Sequence, residues 1–276
     1  MKKMDMRQVN VSGGSLPVWV QDGEPTALVF LHYWGGSHRT FASVIDRLAS
    51  GCAVVSYDHR GWGAARGLPG PYGIGQLADD ALDVVRGLGL SRYVLVGHSM
   101  GGKVAQLVAS RRPDGLAGLV LVAPAPPRPT VDAQAADALS HAYDSRATVG
   151  DALQHVLTHR PLPADLREQV LADSLAAGDD ARLAWPRHGI TEDITAAAGA
   201  IDVPVLVLAG RHDRVDPPAS LEADLLPVVP GARMTVIEDT GHLSPLEAPG
   251  DLADQIDRFT AGRRSVPRRP RRRVAR

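Results

Sequence analysis

The chain has 276 residues, 44% of them hydrophobic and 22% charged, with a net charge of −1, which suits one large domain or two small ones with a full core. Eight arginines and no acids fall within residues 263–276, so residues 1–262 carry a net charge of −9, and an acidic body of that kind gives no reason to expect a nucleic-acid partner. No apolar run is long enough to cross a bilayer, the polar start lacks the apolar segment of a signal peptide, and the one cysteine, Cys52, permits no internal disulfide, so we expect no membrane partner and a reduced, cytoplasmic setting.

Residues 7–11 and 17–21 are β-rich, with Ser12-Gly13-Gly14 as a turn between them. Residues 27–31 form a buried strand. Residues 40–49 have helical periodicity, with Phe41, Val44, Ile45 and Leu48 on one face. A strand at 53–57 leads into a glycine-rich loop after Asp58. Residues 76–88 read as an amphipathic helix, 93–96 as a strand, 101–111 as a helix and 119–123 as a strand. The strands are continuous apolar runs, so both faces must be covered, which predicts a mostly parallel sheet with helices on each side.

That rhythm breaks at Pro124, Pro126, Pro127 and Pro129. Only helical segments follow, at 131–143, 149–158, 164–176 and around Trp185. A strand at 203–209, a helix at 218–226, a strand at 234–237 and a helix at 250–259 resume the first pattern. The reading is one core formed by residues 1–125 and 201–262, with a helical insertion at 126–200. The like-charged, proline-broken stretch 263–276 is expected to be a disordered basic tail.

Gly97-His98-Ser99-Met100-Gly101 fits G-x-S-x-G and sits directly between a predicted strand and a predicted helix. That is the context a nucleophile elbow requires. The turn is tight enough that glycines are needed two positions either side of the serine. A serine hydroxyl needs a base, and the base needs an orienter. On such an elbow they follow in the order serine, acid, histidine. Asp213 comes after the strand at 203–209 and His242 after the strand at 234–237, and no later histidine follows Asp213 except His242. Asp216 competes with Asp213 for the orienting role. Asp213 lies closer to the strand end and is preferred.

The backbone N–H of Met100, at a helix N-terminus, is expected to meet a negative oxygen. The second such N–H is assigned to Trp34, in the loop His32-Tyr33-Trp34-Gly35-Gly36. Tyr33, His98, Tyr143 and Trp185 are expected at the substrate. Trp185 precedes Pro186, which could aim the indole inward, and packing of the insertion onto the sheet is an equal alternative for it.

These residues resemble the α/β-hydrolase superfamily, and within it the single-domain esterases and cofactor-free haloperoxidase-like, or perhydrolase-like, serine hydrolases. The resemblance runs through residues 30–36, 58–63, 96–102, 210–213 and 241–242, and so covers nearly the whole chain except the tail. It implies an α/β-hydrolase fold in which the insertion is a cap over the pocket. The chain departs from the pattern at Tyr33, where family members commonly carry glycine. Epoxide hydrolases and haloalkane dehalogenases of this fold carry aspartate at the elbow, and Ser99 argues against both.

Two other patterns are set aside. Gly61, Gly63 and Gly67 have the wrong spacing for a dinucleotide fingerprint. His155 and His159 stand at i and i+4, but position 156 is valine where a metalloprotease has glutamate, and no third ligand is evident. We therefore expect no metal and no organic cofactor. The expected activity is hydrolysis of a small carboxylic ester or lactone. The alternatives are perhydrolysis or carbon–carbon bond hydrolysis on the same triad, or a small-molecule receptor that keeps the triad without turnover.

Overall fold

A computed structural model describes residues 3–261; the basic tail expected at 263–276 lies outside the described residues. In chain order the elements are β1 (Asp5–Val11), β2 (Gly14–Gln21), β3 (Glu24–Leu31), α1 (Ala42–Arg47), β4 (Cys52–Tyr57), α2 (Ile74–Gly87), β5 (Tyr93–His98), α3 (Met100–Ser110) and β6 (Leu116–Val122). Five helices follow without a strand: α4 (Ala133–Ser140), α5 (Arg146–Ala152), α6 (Ala164–Ser174), α7 (Asp179–Ala184) and α8 (Thr195–Ala198). The sheet then resumes with β7 (Val205–Gly210), α9 (Pro218–Asp224), β8 (Arg233–Ile237), α10 (Ser244–Glu247) and α11 (Pro249–Ala261). Among the described residues no helix is long and apolar enough to cross a membrane.

The eight strands form one sheet in the order β1-β2-β4-β3-β5-β6-β7-β8. The six strands β4, β3, β5, β6, β7 and β8 run parallel to one another, and β2 is antiparallel to both of its neighbours, β1 and β4. Side chains alternate between faces along a strand, and here both faces are apolar. Val29, Leu95, Leu121 and Val207 pack on one side with Ala78 and Val84 of α2 and Val104 and Val108 of α3. Phe30, Val96, Val120 and Leu208 pack on the other with Val44 of α1 and Leu252 and Ile256 of α11. That double burial is why the strands read as unbroken apolar runs.

Several boundaries depart from the sequence expectation for local reasons. The helix expected at 40–49 is split into a tight turn, His38–Phe41, and α1. Ser37 caps that turn, its hydroxyl accepting from the Arg39 N–H. α4 starts late because Asp132 caps it, its side chain accepting from the Ala135 N–H. α5 runs on as a wider, π-type turn over Leu153–Leu157, and α7 does the same over Trp185–Gly189. The four-residue helices α8 and α10 are too short to show a period.

The loop after β4 is anchored by a buried ion pair. The Arg60 guanidinium donates to both carboxylate oxygens of Asp80 on α2, at 2.8 and 2.6 Å, and both side chains are 1% exposed. The glycine-rich stretch around it is therefore structural.

Candidate active site

Ser99 sits between β5 and α3 with φ 52° and ψ −116°. A non-glycine residue in such a conformation costs on the order of 1–3 kcal/mol, so the surroundings must hold it. Its N–H donates to the Val122 carbonyl at 3.0 Å, and its own carbonyl accepts from the N–H groups of Lys103 and Ala125 at 3.1 and 3.2 Å. The flanking glycines are dictated by backbone. A Cβ on Gly97 would lie 2.4 Å from the Gly101 carbonyl oxygen, and one on Gly101 would lie 2.4 Å from that of Leu31. Neither obstacle is a side chain that could swing aside.

The loops after β7 and β8 bring the other two residues to the serine. His242 Nε2 is 2.9 Å from Ser99 Oγ, and His242 Nδ1 is 2.9 Å from Asp213 Oδ2. The Asp213 carboxylate can only accept, so Nδ1 carries the proton and Nε2 is left to face the serine. Asp213 Oδ1 accepts from the N–H groups of Val215 and Asp216 at 2.8 and 3.1 Å. Burial alone would raise Asp213, but His242 and these N–H groups outweigh it and hold the carboxyl below its usual range. Burial likewise would lower His242, and the Asp213 carboxylate, helped by Asp216 and Glu247, more than offsets it, so its pKa lies above the ordinary histidine value. Asp216 makes no bond to the imidazole. Of the two aspartates, Asp213 is the one in contact.

The loop after β3 is fixed by His32. The His59 N–H donates to His32 Nε2 at 2.9 Å, which leaves Nδ1 to donate to the Tyr33 carbonyl at 2.7 Å. The bond sets the chain direction at the position where the family pattern has glycine. Gly35 follows with φ 92°. Neither the Trp34 nor the Met100 N–H has a hydrogen-bond acceptor among the described residues.

A cavity of about 310 Å³ opens over Ser99. Tyr33, Trp34, Tyr143 and Trp185 lie on its wall with Ser99 and His242. The Tyr143 ring stacks on Trp34 at 3.9 Å and its hydroxyl donates to the Trp34 carbonyl at 3.1 Å. Trp34 Nε1 in turn donates to the Arg182 carbonyl at 2.8 Å. Trp185 both faces the cavity and belongs to the main core, and Gly189 makes room for it, since a Cβ there would lie 2.7 Å from the indole. His98 must be corrected. It is fully buried and is not on the cavity wall. Its Nε2 donates to the His242 carbonyl at 2.9 Å, and burial pushes its pKa down to about 3. It supports the His242 loop from behind and does not reach the cavity over Ser99.

A model of the alpha/beta hydrolase fold matches residues 26–249. The chain belongs to that family. A protein named "Putative carbamate hydrolase RutD" from Pseudomonas savastanoi pv. phaseolicola is 28% identical over 257 residues, covering 83% of this chain and 91% of that one. One of the same name from Rhizobium rhizogenes is 39% identical over 89 residues, a match spanning only 34% of that protein and 32% of this chain. An esterase from Exiguobacterium antarcticum shares the fold at a TM-score of 0.82 with 22% identity, covering 92% of this chain and 98% of that one.

For this α/β-hydrolase the sequence reading missed one cluster. His159, His212 and Asp239, all exposed, hold their donor atoms within 4.8 Å of one another. The two imidazoles are stacked at 3.8 Å and 13°, so their lone pairs run side by side and do not converge on one point. The set could take a divalent cation only after the rings rotate. The sequence sets His159 four residues after His155, but the wide turn over Leu153–Leu157 removes the regular i, i+4 spacing, and the neighbours of His159 come from the β7 and β8 loops.

Proposed function

We propose that this α/β-hydrolase is a serine enzyme that cleaves a small carboxylic ester, or a lactone, through an acyl-enzyme on Ser99. The observation that carries the reading is the relay of two 2.9 Å contacts from Asp213 through His242 to Ser99. His242 Nε2 takes the Ser99 proton as Oγ attacks the carbonyl carbon. The imidazolium so formed is stabilised by Asp213, which also keeps the proton on Nδ1 and the free lone pair at Nε2. The Met100 and Trp34 N–H groups receive the oxyanion of the tetrahedral intermediate. His242 then gives its proton to the departing alkoxide. A water molecule, deprotonated by the same nitrogen, releases the acid and restores Ser99.

The mostly apolar cavity suits a hydrocarbon acyl or alcohol group, with Tyr33, Trp34, Tyr143 and Trp185 against it. The same attack applies to a carbamate carbonyl, and the relatives named as carbamate hydrolases make carbamates worth including as substrates. A cytoplasmic setting fits a chain whose one cysteine, Cys52, is buried and free. The test is a p-nitrophenyl ester series of graded acyl length, with a matched carbamate. Turnover of esters that disappears in Ser99→Ala is the expected result. No turnover of any member, or an undiminished rate in the variant, overturns the proposal.

A further inference from the structure

One side chain on the cavity wall has no part in that chemistry. Asp216 is the one carboxyl among the residues that line the cavity with Ser99 and His242, and it is 6% exposed. Its backbone N–H is held by Asp213 Oδ1 at 3.1 Å. Its carboxyl makes no hydrogen bond and no ion pair with any described residue. A buried carboxyl without a partner is costly, and here it faces a space that a substrate would fill. Most of the wall, including Ala125, Val156, Leu157 and Ile190, is apolar, and its polar members, Arg128 and Thr130 among them, make no hydrogen bond with the Asp216 carboxyl.

A second buried charged group, without an ion-pair partner, lies nearby. Lys103 is on α3, one turn beyond Ser99, and is 1% exposed. Its Nζ sits 5.9 Å over the Trp185 ring, on a residue that does line the cavity. It makes no ion pair with Asp216, yet each charge acts on the other: burial raises the Asp216 carboxyl to about 7, with His242 and Lys103 pulling it back, and burial lowers Lys103 to about 8 against the pull of Glu192, Asp193 and Asp216. A substrate carboxylate here would be repelled by Asp216, and a substrate ammonium, though drawn to Asp216, would be repelled by Lys103. A neutral donor meets neither penalty. It can bond to the carboxyl oxygen whether or not the acid carries its proton.

We propose that Asp216 forms a polar subsite of the substrate cavity and accepts a hydrogen bond from a neutral hydroxyl or N–H that the substrate carries close to its scissile carbonyl. The proposal rests on the serine-esterase reading of Ser99. It makes the preferred substrate a hydroxylated or amide-bearing ester and not a plain alkyl one. A site built around a buried polar group rejects the analogue that leaves it unpaired far more strongly than an apolar site rejects a missing methylene.

The test uses the full chain and two matched pairs of esters, with acid release followed by a pH indicator. Ethyl 3-hydroxybutyrate against ethyl butyrate places the hydroxyl on the acyl side. The monobutyrate of 1,2-propanediol against propyl butyrate places it on the alcohol side. In one of the two pairs the hydroxylated ester should have a kcat/KM at least about tenfold higher. Asp216→Leu should bring that ratio close to one, and Asp216→Asn, whose amide still accepts, should keep most of it. Equal kcat/KM within both pairs in the unaltered enzyme overturns the subsite without recourse to any variant, and so does a ratio that survives Asp216→Leu. If none of the four esters turns over and a fluorophosphonate leaves Ser99 unlabelled, the serine-esterase reading itself has failed and the subsite falls with it. Labelling of Ser99 in an active enzyme that shows no hydroxyl preference removes the subsite alone.

Discussion

The loops that carry Ser99, Asp213 and His242 leave the ends of parallel strands, and main-chain bonds hold them. Ser99 N–H donates to the Val122 carbonyl, Asp213 N–H to that of Gly210, and His212 N–H to that of Thr240. The cavity wall contributed by residues 126–200 shares two long-range main-chain bonds with the core, Gly178 N–H to the Gly61 carbonyl and Leu243 N–H to that of Leu157, and is otherwise held by side chains. Tyr143 stacks on Trp34, the Arg182 guanidinium donates to the Ser140 carbonyl and to Asp144, and Ser174 Oγ donates to the Gly35 carbonyl. The first region should keep its geometry through substitutions that leave the turns intact, and the second should respond to changes in its large side chains. Chemistry and selectivity should therefore separate under mutation.

The largest effect expected is at the serine. Ser99→Ala should lower kcat by a factor on the order of 10⁴ or more with the melting temperature little changed, as ester turnover and thermal unfolding of the same preparation would show. A comparable loss is expected for Asp213→Asn, on the order of 10⁴, because an asparagine stabilises the wrong tautomer of His242. Asp216→Asn should cost far less on a plain alkyl ester. Similar losses in both variants would make the two aspartates act as a unit and contradict the 2.9 Å assignment to Asp213.

Acidity supplies a third effect. In the proposed mechanism His242 must be neutral to take the serine proton, and its pKa lies above the ordinary value of 6.5. The profile of kcat/KM against pH should therefore fall on the acid side with a midpoint above 6.5. For Asp216 the folded pKa, about 7, exceeds the ordinary 3.8. The stability its protonated form contributes is full below about 3.8 and is lost as pH rises through about 7. Asp216→Asn should accordingly raise the melting temperature relative to the unaltered protein at pH 9, and the difference should shrink at pH 5. An equal shift at both pH values would mean the carboxyl is ionised throughout.

The smallest effect is expected at the cavity wall. Trp185→Ala and Tyr143→Ala should each shift the preferred acyl length by several-fold in kcat/KM, while Ser99 reacts with a small phosphonate at a near-normal rate. A uniform loss of rate on every ester would tie these wall residues to the geometry of the triad.

The division between the regions also governs what was legible in the sequence. Gly97 and Gly101 announce the elbow because the close approach of the Leu31 and Gly101 carbonyls tolerates no Cβ, and a constraint on the backbone leaves a mark on residue type. The same holds for Asp213 and His242, fixed by their places after two strands. The wall left a weaker mark. The wide turns at Leu153–Leu157 and Trp185–Gly189 shift the helical period, so the residues that meet Trp34 and His159 cannot be read by counting. His98 lies next to Ser99 in sequence, but as the last residue of β5 its side chain goes into the protein, toward the His242 carbonyl. Asp216 was visible only as a rival to Asp213. Its place on the cavity wall depends on how the loop closes over Asp213 Oδ1.

An acyl-enzyme on Ser99 is tested by mass spectrometry of enzyme quenched in acid during turnover of p-nitrophenyl acetate. A burst of p-nitrophenol of about one equivalent is expected, with an acetyl group on the peptide that contains Ser99, absent from Ser99→Ala. An acetyl group on a different residue, or steady turnover that Ser99→Ala leaves intact, would contradict it.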